Sequence, residues 1–303
     1  KGFMMNKEDN SKTPFMLKHP ILSGIGILMI HSLASGLLML PGNELIHDAL
    51  LNAAIEFAAF AGIAFLLVLL VKKVLKNRFE SGLTGKNLLE CLKFGWLFPA
   101  FLIVEVLIGG SPLSALSHVT FTSAIIALLL GAAAGFGEEL TFRSILANNM
   151  MTAWINKKNG IYTAMFVSSV IFGLAHAGNA LITGSVAGVA WQVGYAFALG
   201  ALFCAMFFRT KNIWGCIIMH TFVDFVSFLF AGGSTTAENL QATLTSETSL
   251  TSLIFKVVLI VSAVALSLYL TRPAKHNEIK ANFAGPEVET EEKVSRKIAA
   301  QAA

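Results

Sequence analysis

The chain has 303 residues, 55% of them hydrophobic and only 13% charged. Soluble domains carry roughly 25% charged residues, so this composition excludes an ordinary soluble enzyme and fits a chain solvated by lipid. The net charge of +4 carries meaning only through its placement. Phenylalanine is common (24) and tyrosine rare (3), a balance suited to lipid-facing surface. Cys91, Cys204 and Cys216 form no CxxC or CxxH pattern, which argues against a disulfide framework or a structural zinc site. Cys204 and Cys216 read as small apolar packing residues.

Apolar runs occupy 20–41, 50–71, 93–108, 119–147, 160–177, 185–208, 212–231 and 251–271. A helix needs about 20 apolar residues to cross the hydrocarbon layer, and most of these runs suffice. The first is too long for the apolar part of a signal peptide and reads as a span. The third is short and needs Lys86–Lys93 as an interfacial lead-in. The fourth is long and carries charges in its C-terminal half. The predicted fold is all-α and polytopic, with about eight transmembrane helices.

Lys and Arg alternate between the connections. Lys1, Lys7, Lys12 and Lys18 precede the first run, and the 41–50 connection has none. The next connection has six, from Lys72 to Lys93, and 109–118 has none. Lys157 and Lys158 follow, then none in 178–184, then Arg209 and Lys211, then none in 232–250, then Arg272 and Lys275. Basic residues concentrate in cytoplasmic connections, so the pattern predicts an even number of spans with N- and C-termini cytoplasmic. It divides the chain into a cytoplasmic segment 1–19, three helices in 20–118, four helices in 119–231, an outer loop and last helix in 232–271, and a charged tail in 272–303. The tail, with Pro273, Pro286 and the Glu287–Glu292 cluster, reads as a mobile cytoplasmic segment.

Ionisable side chains deep in a span cost about 2.5–3.5 kcal/mol on insertion scales and are functional candidates by default. The fourth run contains Glu138-Glu139-Leu-Thr-Phe-Arg143. Glu139 and Arg143 are four apart and share a helix face, in the favourable order for an ion pair. Glu138 is turned about 100° away, has no local cation, and is available as a general base toward a cavity. The fifth run ends in Phe172-Gly-Leu-Ala-His176, where Phe172 can wall a site from lipid. The seventh contains His220-Thr-Phe-Val-Asp224, where Asp224 can accept from His220 and fix its tautomer. Two Glu, an Arg, two His and an Asp on three helices are the parts of a water-activating hydrolase. They also suit zinc or a proton-coupled transporter. Gly131-Ala-Ala-Ala-Gly135 has the small-xxx-small spacing that lets helices approach closely. Gln192, beside Trp191 and before Tyr195, reads as an interhelical hydrogen-bonding residue that could also bind a substrate backbone. His31 and Glu56 read as helix contacts or a cavity rim. Gly-Gly-Ser at 109–111 and 232–234, followed by Pro112 and Thr235, does not make the Gly-x-Ser-Gly of a rhomboid protease, and no HExxH is present.

Glu138-Glu139-x-x-x-Arg143, Phe172-x-x-x-His176 and His220-x-x-x-Asp224 resemble, in order and placement, the three motifs of the CPBP intramembrane proteases. This family, also called Abi or CAAX prenyl protease type-2-like, includes bacteriocin-processing and self-immunity proteins. The resemblance spans about 119–231 and marks that region as the catalytic core. It implies an intramembrane endopeptidase acting on a membrane-associated protein or peptide. Glu138 would activate water with help from His176, His220 and Asp224 would stabilise the oxyanion or orient the water, and Glu139 and Arg143 would hold the architecture. It leaves open a glutamate mechanism without metal or a divalent metal such as zinc, with Glu138, His176, His220 and Asp224 as candidate ligands. The expected setting is a bacterial plasma membrane, with lipid and a peptide substrate as partners and no nucleic acid. A catalytically silent immunity or interaction protein on the same scaffold is the alternative, and a proton- or ion-coupled transporter a second.

One spacing is awkward. Taking the fourth span to end at 147, Glu138 lies about 12–15 Å in from the cytoplasmic side at 1.5 Å per residue. His176, sixteen residues beyond Gly160, lies deeper by the same count. Topology is testable directly. Reporter fusions after residues 45, 80, 113, 155, 182, 211, 240 and 280 should alternate between the two sides, and two adjacent fusions reporting one side would overturn the eight-span reading.

Overall fold

Why the chain forms only helices follows from its solvent. Backbone groups in hydrocarbon must be satisfied within their own segment, and a helix does this. A computed structural model describes residues 13–39, 48–108, 119–230 and 250–283, and among these every element is helical. Both Gly-Gly-Ser runs and the tail beyond 283 lie outside the described residues.

A helical turn at Phe15–Lys18 leads into α1 (Pro20–Met39). Next come α2 (Ala49–Leu75), the short helices α3 (Leu88–Gly95) and α4 (Leu97–Ile108), and α5 (Phe121–Glu138). Two side-chain caps fix starts: Asp48 accepts from the Leu51 amide, and Thr120 and Ser123 form a reciprocal capping box. After α5 the chain widens into a π-helical segment, Glu139–Ala147, and returns to α geometry in α6 (Asn148–Trp154). Then follow α7 (Gly160–Ala175), α8 (Asn179–Thr183), α9 (Val186–Thr210), α10 (Ile213–Phe230), α11 (Leu250–Leu270) and α12 (His276–Phe283).

The protein is an integral membrane protein, and among the described residues seven helices are long and apolar enough to cross a bilayer. The expected third span is the exception. It divides at Trp96 into amphipathic α3, which buries Cys91 and Gly95, and a 12-residue α4. At 1.5 Å per residue α4 is about 18 Å long, short of the roughly 30 Å of hydrocarbon. The fourth span is longer than expected. It runs from Phe121 to Trp154, 34 residues, because the polar stretch after 147 is covered by protein instead of lipid. Asn148 and Asn149 are buried and donate to the carbonyls of Glu80 and Met16, both at 2.8 Å.

This removes the awkward spacing. Glu138 stands sixteen residues before the end of α6, and His176 sixteen residues after the start of α7. The two helices meet at the 154–160 turn, so the two side chains reach the same depth.

Helices α1, α2, α5 and α10 pack in one row, α7, α9 and α11 in another, and the π segment touches members of both. The α5–α10 approach is set by Gly131 and Gly135. A Cβ at Gly131 would stand 2.7 Å from the Phe225 amide nitrogen, and one at Gly135 2.9 Å from that of Thr221, besides striking the Thr221 hydroxyl. Thr221 and Phe225 directly follow His220 and Asp224, so the small-residue spacing fixes the helix that carries them.

The 210–213 turn is not a solvated loop. Thr210, Lys211 and Asn212 are buried beneath the 79–87 segment and α12. Asn87 donates to the Thr210 carbonyl, Asn212 to that of Lys86, and Trp214 to that of Leu83. The Lys211 ammonium donates to Asn148 Oδ1 at 2.6 Å and lies 3.5 Å from the centroid of Phe283. Burial, partly offset by Glu80, pushes its pKa down to about 7. The start of the tail is likewise ordered: in α12, Glu278 pairs with Arg209 at 2.8 Å and Asn282 donates to the Phe208 and Arg209 carbonyls. At 276–283 the tail is thus a packed helix, whose Asn282 bonds the last carbonyls of α9.

Gly135→Val should lower unfolding stability by about 1–3 kcal/mol or more, since the clash is with backbone. Gly26→Ala, Gly36→Ala and Gly62→Ala have nothing within 4 Å of the added carbon and should be neutral or slightly stabilising. Thermal unfolding of the purified protein in detergent checks both.

Candidate active site

Glu139 opens the π segment and has no solvent exposure. Its Oε1 lies 2.8 Å from Arg143 Nη1 and 2.7 Å from His220 Nδ1. The Arg143 contact is one of charge, since neither Nη1 nor Nη2 reaches an acceptor with hydrogen-bond geometry. The guanidinium is instead covered by aromatic faces: its carbon is 3.9 Å from the Phe172 centroid and 5.1 Å from that of Phe203, a cation–π arrangement strengthened by desolvation.

A buried, ion-paired carboxylate accepts only, so His220 Nδ1 carries the proton in this contact. Sequence spacing assigns the orienting role to Asp224, and the structure gives it to Glu139. Nε2 of the same ring faces Asp224 Oδ2 at 3.5 Å and Glu138 Oε2 at 3.7 Å. Phe203 stacks on the His220 ring at 5.4 Å and 16°, holding its plane.

Glu138 immediately precedes the π segment, and its carboxylate is 28% exposed, against none for Glu139. Its Oε2 has no hydrogen-bond partner. The separation from His220 is too long for a direct bond and short enough for one water to bridge.

His176 ends α7, and its Nδ1 lies 2.9 Å from the Phe172 carbonyl. That contact requires Nδ1–H and leaves Nε2 as the acceptor. The Phe172 ring meets both imidazoles edge-on, at 5.1 Å from His176 and 6.3 Å from His220. Glu138, His176, His220 and Asp224 thus line one cavity of about 450 Å³. All six candidate residues converge, four on the cavity and two immediately behind it.

His31 and Gln192 line the same cavity. His31 Nε2 is 3.0 Å from the Phe60 carbonyl, making it both a helix contact and part of the wall. Phe203 and Asn179 were missed by sequence reasoning. Phe203 sits in an unbroken apolar run and gives no signal, whereas Asn179, polar and three residues past His176, gives a usable one. Of the cysteines, all buried, Cys204 Sγ lies 3.2 Å from Ser168 Oγ and Cys91 Sγ 4.0 Å from Cys216 Sγ.

Residues 120–226 match the model of the family described as type II CAAX prenyl endopeptidase, Rce1-like. The match covers about a third of the chain, over the region where the three motifs lie. The matched stretch contains all three motifs and the helices that carry them, α5 to most of α10, and it supports a CAAX-type intramembrane protease at the level of the family. No curated protein and no solved structure matches the chain. Among the described residues, no three His, Cys, Asp or Glu side chains are grouped so as to hold a metal ion. What the arrangement can do with its own atoms is present a free carboxylate, an imidazole lone pair and a second, oriented imidazole to one small volume.

The geometry assigns unequal costs to the two glutamates. Glu139→Gln strands Arg143 as a buried charge and should cost about 3–5 kcal/mol, as breaking buried pairs does, with folded protein lost as well as function. Glu139→Gln combined with Arg143→Met should recover most of that stability in thermal unfolding without restoring His220's acceptor. A stable single Glu139→Gln variant would contradict the pairing.

Proposed function

We propose that this protein is a glutamate-dependent intramembrane endopeptidase that hydrolyses a peptide bond of a membrane-associated protein or peptide. The observation that carries the reading is the division of the adjacent glutamates: one fully buried in an ion pair, the other partly exposed and lining the cavity that His176 and His220 also line.

In the proposed reaction a water bound between Glu138 and His176 Nε2 gives a proton to Glu138. The oxygen forms a bond to the substrate carbonyl carbon. The developing oxyanion accepts a hydrogen bond from His220 Nε2–H, whose positive charge is balanced through Nδ1–H by Glu139, while Asp224 holds Nε2 in line. Collapse breaks the C–N bond, and Glu138 returns its proton to the leaving amine. Oriented donors at a developing charge are the largest single contribution in such sites, and a positioned acid–base group adds about 10²–10⁴-fold. The basic end of the bundle, where Lys72, Lys157, Arg209 and Arg272 lie, faces the cytoplasm of a bacterial cell by the charge rule.

Glu138→Gln should abolish cleavage of a peptide library by purified protein and leave thermal unfolding nearly unchanged, because His220 keeps Glu139 and Asp224 as partners. Activity surviving this change would overturn the reading. Activity lost on chelation and restored by a divalent ion would move Glu138 from base to ligand.

A further inference from the structure

The cavity holds a second polar group that the proposed chemistry does not use. Asn179 Nδ2 donates to Gln192 Oε1 at 2.8 Å, and both residues line the cavity wall. Gln192 is 8% exposed and sits in the first third of α9. Each amide has two donor hydrogens and an acceptor oxygen. Their mutual bond leaves N–H donors on both residues and an unused carbonyl acceptor on Asn179. Turning both amides over reverses the bond and again leaves N–H donors on both residues and one unused carbonyl acceptor, so the conclusion does not depend on how the amide orientations are assigned.

A neighbouring donor and acceptor of neutral charge complement a peptide group, which offers one N–H and one C=O. A carboxylate, which accepts only, would leave the unused carbonyl without a donor. The pair also lies in line with the chemistry. Gln192, Ala196, Leu199 and Phe203 line the cavity from successive turns of α9, and Phe203 stacks on His220. Gln192 and Phe203 are eleven residues apart, roughly 16 Å along a helix. An extended chain rises about 3.3 Å per residue.

Resting on the peptidase reading above, we infer that Asn179 and Gln192 form a backbone clamp that holds a substrate peptide group about five residues from the bond presented to Glu138 and His220. The clamp selects an extended substrate by its length on one side of the scissile bond and is indifferent to side-chain identity at the clamped residue. Between the clamp and His220 the wall is apolar, so the intervening side chains meet Ala196 and Leu199.

The test uses the full chain in nanodiscs and a pool of labelled synthetic nine-residue peptides. Binding is read by anisotropy on the Glu138→Gln variant, which separates binding from chemistry. Adding Gln192→Leu should weaken binding about five- to tenfold, the worth of one hydrogen bond to a neutral group. Gln192→Glu keeps the acceptor for Asn179 Nδ2 but removes the donor, and should weaken binding similarly without disturbing the fold. The exchange Asn179→Gln with Gln192→Asn restores one donor and one acceptor and should recover binding to within twofold. In the active chain, Gln192→Leu should raise KM and leave kcat unchanged. Peptides cut back to fewer than about five residues on the clamped side should bind equally to the Glu138→Gln parent and to the same chain carrying Gln192→Leu. The clamp is overturned if Gln192→Leu and Gln192→Glu bind the pool as tightly as their parent, if the exchange variant folds but stays weak, or if no peptide binds. Tight, Gln192-dependent binding without any Glu138-dependent cleavage would sink the peptidase reading and leave the clamp standing.

Discussion

A single carboxylate oxygen, Oε1 of Glu139, is shared by a guanidinium and an imidazole in a place water does not reach. Moving charges out of water costs several kcal/mol per ion, returned only when partners are held in good geometry. Most of the core serves that condition. The π-helical segment brings Glu139 and Arg143 together while passing between the two helix rows. Phe172 and Phe203 cover the guanidinium that hydrogen bonds do not reach. Gly131 and Gly135 allow α10 close enough for His220 to complete the set. π-helical turns are frequent at functional sites, and here the wider turn carries the buried ion pair itself.

The consequence is a chain of influence from structure to chemistry. Glu139 is behind the cavity wall, yet it determines which nitrogen of His220 faces the cavity. Its partner Arg143 lies against Phe172, whose carbonyl in turn accepts from His176. Both imidazoles therefore have one nitrogen tied to the buried framework and the other free for the cavity. The dry pair lies behind the wall, and the partly exposed Glu138 stands in front of it. In such a design adjacent residues of the same type do different work because burial differs, from complete at Glu139 to partial at Glu138.

The basic end of the bundle contributes by depth. Because the 210–213 turn is sunk beneath the 79–87 segment and α12, His220 is only seven residues into α10 and still reaches the layer of Glu138 and His176. A solvated turn would have needed a longer helix to arrive at the same level. The buried Lys211, against Phe283 and bonded to Asn148, ties the covering helix to the polar segment that continues from the ion pair. Asn148 and Ser144 extend that connection to the Glu80 and Ser81 carbonyls.

The sequence by itself determined the solvent, the helical class and which ionisable residues stand inside the spans. Composition, run length and charge spacing are one-dimensional, and lipid leaves few folds that satisfy a backbone, so they were legible without coordinates. The three short motifs on three apolar helices carried the site residues for the same reason: an ionisable group in a span is conspicuous. Tertiary structure alone decided how those groups are paired. Spacing of four suggested Asp224 as the orienter of His220, whereas a residue 81 positions away holds its Nδ1. Local periodicity cannot rank a neighbour on the same helix against one across a helix interface. Likewise the fourth span extends to Trp154 because protein, not lipid, surrounds its polar residues Asn148 and Asn149. Hydropathy measures a residue's cost in lipid and carries no information on which surfaces other helices cover. The sunken Lys211 turn and the Asn179–Gln192 pair were hidden for that same physical reason.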